Sequence, residues 1–398
     1  MELSEVYQAK KRLAKVIHDI PLERSARFSQ VTGGSVYLKC EHRQLTGSFK
    51  VRGAYNKMAK LKEAGGTEKV IASSAGNHAQ GVAFAAKENG IKATIVMPRS
   101  APIAKVSATE NYGAEVVLYG DCYDDAHTKA LELQKATGAV FIEPFDDADV
   151  IAGQATVGLE IMNELDADVI FVPAGGGGLL AGIAKTVKAL KPSVKIIGVQ
   201  AEKADAIRRS FKCGKLTALD NIFTIADGIA VKKPGDLTFS LIKDYVDDIV
   251  TVTDEEIASA IIELIERTKQ IVEPAGAAAL AAILNNKFDI RGLNAVCVLS
   301  GGNIDVGFIH KIIEKGLIGR GRELNLSVIM RDVPGGLSKI SGIIGDENAN
   351  IVSVRYERVS AIHINEVILH ITCEVGGKEH GGRLLKKLAE AGYQLINC

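Results

Sequence analysis

The chain has 398 residues, 47% of them hydrophobic, with 48 Lys and Arg balanced by 48 Asp and Glu. That length exceeds what one hydrophobic core supports and predicts two or three domains. A charge near zero leaves no electrostatic footprint for nucleic acid or an anionic membrane, and no apolar run approaches the roughly 20 residues of a membrane helix.

In chain order, residues 1–17 pattern as an amphipathic helix with no apolar signal-peptide core. A polar turn at Thr32-Gly33-Gly34 precedes a short strand, residues 36–40, and a helix-like stretch, residues 51–61. Strand 70–72 then runs into Ser73-Ser74-Ala75-Gly76-Asn77-His78 and a helix ending near Gly90. Strand 93–97, helix 101–112 and strand 115–118 repeat the scheme. A second block follows: helix 154–165, strand 169–172, four glycines Gly175 to Gly178, helix 179–190 and strand 195–199. Helices 255–268 and 274–284 lead to strand 295–299 and Ser300-Gly301-Gly302-Asn303. Short apolar strands alternating with helices argue for βαβ units and parallel sheets, with ligands at the C-terminal strand ends. Composition shifts near residues 317–324, where glycine and arginine read as a linker. The last stretch orders as strand 324–330, a turn Asp332 to Leu337, helix 338–344, strands 351–359 and 362–375, helix 383–391 and strand 393–396. This βαββαβ order is ferredoxin-like. The six cysteines (Cys40, Cys122, Cys213, Cys297, Cys373, Cys398) form no C-x-x-C pair and read as reduced thiols of a cytoplasmic protein.

Gly175 to Gly178 between a strand and a helix is the clearest physical signal, because glycine lets backbone N–H groups converge on an anion at a helix start. No Gly-Lys-Ser/Thr follows, and the spacing does not fit a dinucleotide fingerprint. A turn that only permits close helix–strand packing stands beside the phosphate reading. The turn Ser73 to His78 offers hydroxyl and amide donors without a basic residue, which suits a small carboxylate. Helix capping by Ser74 or Asn77 is the alternative. Lys50, in Ser48-Phe49-Lys50-Val51-Arg52-Gly53-Ala54, is by itself an ordinary surface lysine at a helix start.

Together, the Lys50 segment, Ser74 to Gly81, Gly175 to Gly178 with Leu179, and Ser300 to Asn303 resemble the threonine/serine dehydratases. These are fold-type II, tryptophan synthase β-like enzymes that use pyridoxal 5'-phosphate. The resemblance implies a two-domain α/β catalytic part over 1–318, with a small subdomain at about 45–145. It implies that Lys50 carries the cofactor and moves the substrate's Cα proton, with Phe49 beside the cofactor ring. Asn77 would bond the 3-hydroxyl oxygen, Gly175, Gly176, Gly177, Gly178 and Leu179 would cradle the phosphate, and Ser300 would face the pyridine nitrogen. Ser73, Ser74, Asn77 and His78 fall where relatives hold the substrate carboxylate, and Glu273 near the ring's far edge. The expected reaction is β-elimination from L-threonine to 2-oxobutanoate and ammonia, with L-serine secondary. Serine racemases of this fold carry a serine at Ala75, so elimination is expected over racemisation. Glu202 matches one of their cation ligands, but the metal requirement stays open.

The tail, 326–398 after a linker at 319–325, resembles an ACT domain, a module that commonly binds amino acids. Asp332, Pro334, Gly335 and Leu337 would hold the effector. The resemblance further implies a homodimer or homotetramer and a place in isoleucine biosynthesis or in threonine degradation. A serine-preferring dehydratase, a racemase or a catalytically inactive amino-acid sensor are the alternatives.

Overall fold

The computed structural model describes residues 2–358 and 363–396. Met1, Val359, Ile362 and Cys398, which the sequence reading assigns to a helix, a hairpin and a thiol, lie outside the described residues. The chain forms two compact units, Met1–Asp305 and Val306–Cys398.

The strands of the first unit are β1 (Glu23–Arg24), β2 (Ser35–Lys39), β3 (Lys69–Ser73), β4 (Lys92–Met97), β5 (Glu115–Leu118), β6 (Val140–Phe141), β7 (Val169–Pro173), β8 (Lys195–Ala201), β9 (Asp248–Val252) and β10 (Asn294–Val298). They build a six-stranded sheet of order β1-β2-β10-β7-β8-β9 and a four-stranded sheet of order β5-β4-β3-β6. Every pairing is parallel except β1 with β2. In β7, Val169, Ile170, Phe171 and Val172 are all fully buried, the unbroken apolar run of a strand covered on both faces. β3, β7 and β10 end at the three polar or glycine loops singled out above, so the parallel topology delivers all three at C-terminal strand ends. Helices Ala26–Thr32, Tyr123–Thr137, Ala206–Cys213 and Asp236–Tyr245 and the strand β9 were not anticipated. Among the described residues no helix is long and apolar enough to cross a membrane.

The helix that begins with Lys50, Lys50–Glu63, is held between two others. Against Ala148–Glu164 the contact is glycine on glycine: a Cβ on Gly153 would lie 2.5 Å from the Arg52 carbonyl oxygen, and one on Gly53 2.4 Å from Gln154 Nε2. On the other side Gly81 of helix Asn77–Asn89 leaves room for the Lys50 backbone, 3.1 Å from where its Cβ would stand. Arg52 is fully buried and bidentate to two carboxylates. It meets Glu41 at 2.7 and 2.8 Å and Glu160 at 2.5 and 2.8 Å, and also donates to Thr156 Oγ1 at 3.0 Å. Lys39, equally buried, completes the set with Glu160 at 2.7 Å and the Ile20 carbonyl at 2.6 Å. Arg52, Lys39 and Glu41 are thus buried together, with Glu160 partly exposed and Glu164 3.9 Å from Lys39 Nζ.

In the second unit, helix Val306–Gly319 leads to β11 (Glu323–Arg331), helix Gly336–Asp346, β12 (Asn350–Glu357), β13 (Glu366–Glu374), helix Lys378–Glu390 and β14 (Gln394–Ile396). The sheet is antiparallel with order β12-β13-β11-β14, the ferredoxin-like arrangement expected. Leu326, Val328, Leu369 and Ile371 of the sheet pack with Ile340, Ile344, Leu384 and Leu388 of the last two helices. Residues 319–325 hold a helix end, a turn and the start of β11.

Arg52→Ala strands the buried Glu41 carboxylate without its cation. It is expected to lower stability by about 3–5 kcal/mol, seen as a fall in the thermal unfolding midpoint. An unchanged midpoint would mean that the ion cluster does not hold this helix.

Candidate active site

Phe49 stands at the N-cap and Lys50 in the first turn of their helix. The turn before them is stitched to the loop after β10. The Phe49 N–H donates to the Ser300 carbonyl (3.1 Å), the Gly302 N–H donates to the Gly47 carbonyl (2.9 Å), and Ser48 bridges Gly301. Ser300 is buried there and Phe49 packs against the core that contains Ala174 and Leu179. Lys50 Nζ donates to the Pro144 carbonyl at 2.6 Å. Burial pushes the Lys50 amine down to about 8, against the opposing pull of Glu273. A sizeable neutral fraction near neutral pH makes it a usable nucleophile and base.

Gly175 to Gly178 connect β7 to helix Gly178–Leu190, with Gly177 at φ +99°. A Cβ on Gly176 would lie 2.3 Å from the Phe145 ring. The loop is braced from beneath: the Gly176 carbonyl accepts from Thr238 Oγ1 at 2.7 Å and from the Gly235 N–H at 3.4 Å. Asp146 in turn accepts from the N–H groups of Asp236 and Thr238, both at 3.0 Å. The first N–H groups of helix Gly178–Leu190, including that of Leu179, have no intrahelical acceptor and can meet an anion.

On the facing side, Asn77 opens helix Asn77–Asn89. Its Nδ2 donates to Glu273 Oε1 at 2.6 Å, and its Oδ1 accepts from Asn303 Nδ2 at 2.8 Å. Glu273 is buried, and desolvation, reinforced by Asp227, pushes its carboxyl up to about 8. A Cβ on Gly228 would lie 3.7 Å from the Glu273 carboxylate, and one on Gly175 3.0 Å from Ile229 Cα. Contacts therefore run from Lys50 through Pro144 and Phe145 to the glycine loop, on to residues 228–229 and Glu273, and back through Asn77 and Asn303 to Gly47. That ring encloses the expected cofactor residues.

The expected carboxylate holders are less uniform. Ser73 Oγ is buried without a hydrogen-bond partner, whereas Ser74 Oγ accepts from the Gly76 N–H at 3.2 Å. His78 is buried, its Nε2 2.9 Å from the Ile142 carbonyl, and burial plus the Lys50 cation push it down to about 3. Its neutral ring thus gives its hydrogen to Ile142, and what His78 can offer a carboxylate is its backbone N–H. Asp332, Pro334, Gly335 and Leu337 lie in the second unit, all exposed. The Asp332 carboxylate accepts from Arg358 Nε at 2.9 Å. Glu202 opens a single helical turn after β8, and among the described residues no group of three or more His, Cys, Asp or Glu could hold a metal ion. Sequence reasoning missed Pro144, Phe145, Asp146 and Thr238, because only the folded chain brings residues 144–146 and 235–238 to the glycine loop.

These residues fit pyridoxal phosphate. An amine close to neutrality suits its aldehyde, a loop that admits no Cβ at Gly176 suits close approach of backbone N–H groups to its phosphate, and Ser73 keeps a buried hydroxyl unused. The sequence matches the pyridoxal-phosphate dependent enzyme family over residues 13–301 and the ACT domain over 325–392. It is 47% identical to the L-threonine ammonia-lyase of Thermotoga maritima over 395 residues, 99% of this chain and 98% of that one. It is 46% identical to the catabolic L-threonine dehydratase TdcB of Escherichia coli strain K12 over 313 residues, 78% of this chain and 95% of that one. The structure of the processed form of threonine deaminase isoform 2 from Solanum lycopersicum matches with a TM-score of 0.75 at 39% identity, covering 80% of this chain and 90% of that one.

The raised Glu273 has a consequence for stability. The unfolded chain ionises this carboxyl from about pH 4.5, while the folded chain keeps it protonated to about pH 8. Wild type therefore loses stability as pH rises through that window, and the loss levels off above it. Glu273→Gln is expected to escape the loss, so its unfolding midpoint should pull ahead of wild type between these two pH values. A constant gap across the window would contradict the raised carboxyl.

Proposed function

The chain belongs to the pyridoxal-phosphate dependent enzymes as a member of the threonine ammonia-lyase family with a C-terminal ACT domain, and on that premise we propose that it converts L-threonine to 2-oxobutanoate and ammonia, and L-serine to pyruvate secondarily. The observation that carries this reading is Lys50. Its amine is desolvated, pushed down to about 8, and turned toward the Pro144–Phe145 peptide that also contacts the glycine loop.

Pyridoxal phosphate, when bound, supplies the electron sink that makes the substrate's Cα–H acidic. The chain supplies the rest. Gly175 to Gly178 and the Leu179 N–H would hold its phosphate, Phe49 would pack beside it, and Asn77 and Ser300 would supply polar partners to its ring oxygen and nitrogen. The hydroxyl of Ser73 and the N–H groups at the start of helix Asn77–Asn89 orient the substrate carboxylate. Lys50 Nζ takes the Cα proton and passes it to the departing β-hydroxyl, so the Cβ–O bond breaks with loss of water, and the released enamine takes up water to give the 2-oxo acid and ammonia. Ala75 brings no hydroxyl to the opposite face, which favours elimination over racemisation.

We read the second unit as the receptor of an amino-acid effector, with the Asp332 carboxylate for its ammonium and the backbone around Gly335 for its carboxylate. Feedback by isoleucine would mark a biosynthetic role. We also read the protein as a cytoplasmic homodimer or homotetramer. Val352, Val354 and Tyr356, exposed along the edge strand β12, support self-association.

The test is 2-oxo acid release from L-threonine and L-serine, with and without isoleucine or valine. Threonine is expected to turn over faster than serine, and Lys50→Ala to lose activity by about a thousandfold or more. Turnover of serine alone would replace the reading with a serine dehydratase, and activity retained in Lys50→Ala would remove Lys50 from the chemistry.

A further inference from the structure

Asn303 has no role in the reading above, yet it touches three parts of the site. Its Nδ2 donates to the Thr46 carbonyl at 2.7 Å and to Asn77 Oδ1 at 2.8 Å. Its backbone N–H donates to the Glu273 carboxyl, and its Oδ1 lies against Gly47, 2.3 Å from where a Cβ would stand.

An asparagine amide has nearly the same shape either way round, so packing does not decide which end is nitrogen; its hydrogen-bond partners do. The Thr46 carbonyl can only accept and cannot turn over, which fixes nitrogen at that end of the Asn303 amide. The second hydrogen on the same nitrogen needs an acceptor, and Asn77 Oδ1 is there. The Asn77 nitrogen is thereby forced to the other side, toward Glu273 and the site. Glu273 could not impose this alone. Protonated at neutral pH by its burial, it can donate to an Asn77 oxygen as readily as accept from an Asn77 nitrogen.

We propose that Asn303 is a positioning residue that sets the polarity of the Asn77 amide, so that Asn77 presents N–H rather than C=O to the cofactor's ring oxygen. The inference rests on the reading of Asn77 as a ligand of that oxygen. Asn303→Asp keeps the shape and the packing on Gly47 but replaces the donor with acceptors. Asn77 would then turn its nitrogen toward position 303 and its carbonyl toward the cofactor oxygen, where two acceptors repel. Asn303→Ala loses the packing but leaves Asn77 free to adopt either orientation.

The experiment titrates the full chain, stripped of cofactor, with pyridoxal 5'-phosphate and follows absorbance, in single variants and in an Asn77→Ala background. Asn303→Asp is expected to weaken cofactor binding by tenfold or more, and Asn303→Ala by only about threefold, since Asn77 is left free to present its nitrogen. In the Asn77→Ala background, Asn303→Asp should change affinity by less than about twofold, since no amide remains to turn. If Asn303→Asp does not fold, Asn303→Ser, which keeps one donor, should bind cofactor more tightly than Asn303→Ala. A packing role predicts the reverse order, with Asn303→Ala at least as weak as Asn303→Asp, and that order overturns the proposal. So does an effect of Asn303→Asp that persists undiminished without the Asn77 side chain, or Asn303→Ser no better than Asn303→Ala. Should Asn77→Ala itself leave cofactor affinity unchanged, the assignment of Asn77 falls together with the inference.

Discussion

The buried guanidinium of Arg52 fixes where the helix of Lys50 begins. It is bound on two edges by Glu41 and Glu160, each from a different element, and Lys39 balances the remaining charge. Such a cluster contributes little net free energy over an apolar core of the same shape. Its geometry is unforgiving, however, because a shift of one residue along the helix would strand charges away from water. The glycine contact between Gly53 and Gly153 adds a second, steric constraint. Lys50 sits two residues before Arg52, so the amine inherits the precision of the ion cluster without itself belonging to it.

A common electrostatic tendency runs through the site. Lys50, His78 and Glu273 are each pushed by burial toward the neutral form: the lysine to about 8, the histidine to about 3 and the carboxyl to about 8. Of these, His78 and Glu273 are neutral near neutral pH, and Lys50 is the one of the three that keeps a partial charge. In the proposed reading, backbone dipoles then carry the recognition of anions, through the N–H groups at the starts of helices Gly178–Leu190 and Asn77–Asn89. This suits a site that must hold a phosphate and a carboxylate without trapping either by strong ion pairs.

Much of this was legible from sequence, for reasons that differ by element. The apolar runs of β7 and β10 and the glycine and serine loops after them are local signals, and they fell within a residue or two of the observed strands. The order of the second unit was likewise readable, down to the turn at Gly335 and the helix after it. Helix Tyr123–Thr137 was not, because its mixed polar composition has weak periodicity, and the short helix Asp236–Tyr245 was not, because its start is set by a tertiary contact. The helix Asp236–Tyr245 is capped by Asp146, ninety residues earlier in the chain. Phe145 against the glycine loop carries no motif at all. Ser74, placed by motif, accepts from its own turn through the Gly76 N–H and keeps its O–H to donate.

The ring of contacts around the site is also a statement about sequence distance. Its longest closure, Asn303 to Thr46, spans 257 residues, and the first unit ends two residues beyond Asn303. During synthesis the lysine, the asparagine and the glycine loop emerge long before the residue that joins them. A nascent chain that stops short of Asn303 therefore has the glycine loop but not the contacts that close the ring. Closure of the ring is thus tied to completion of the first unit rather than to the appearance of any single motif.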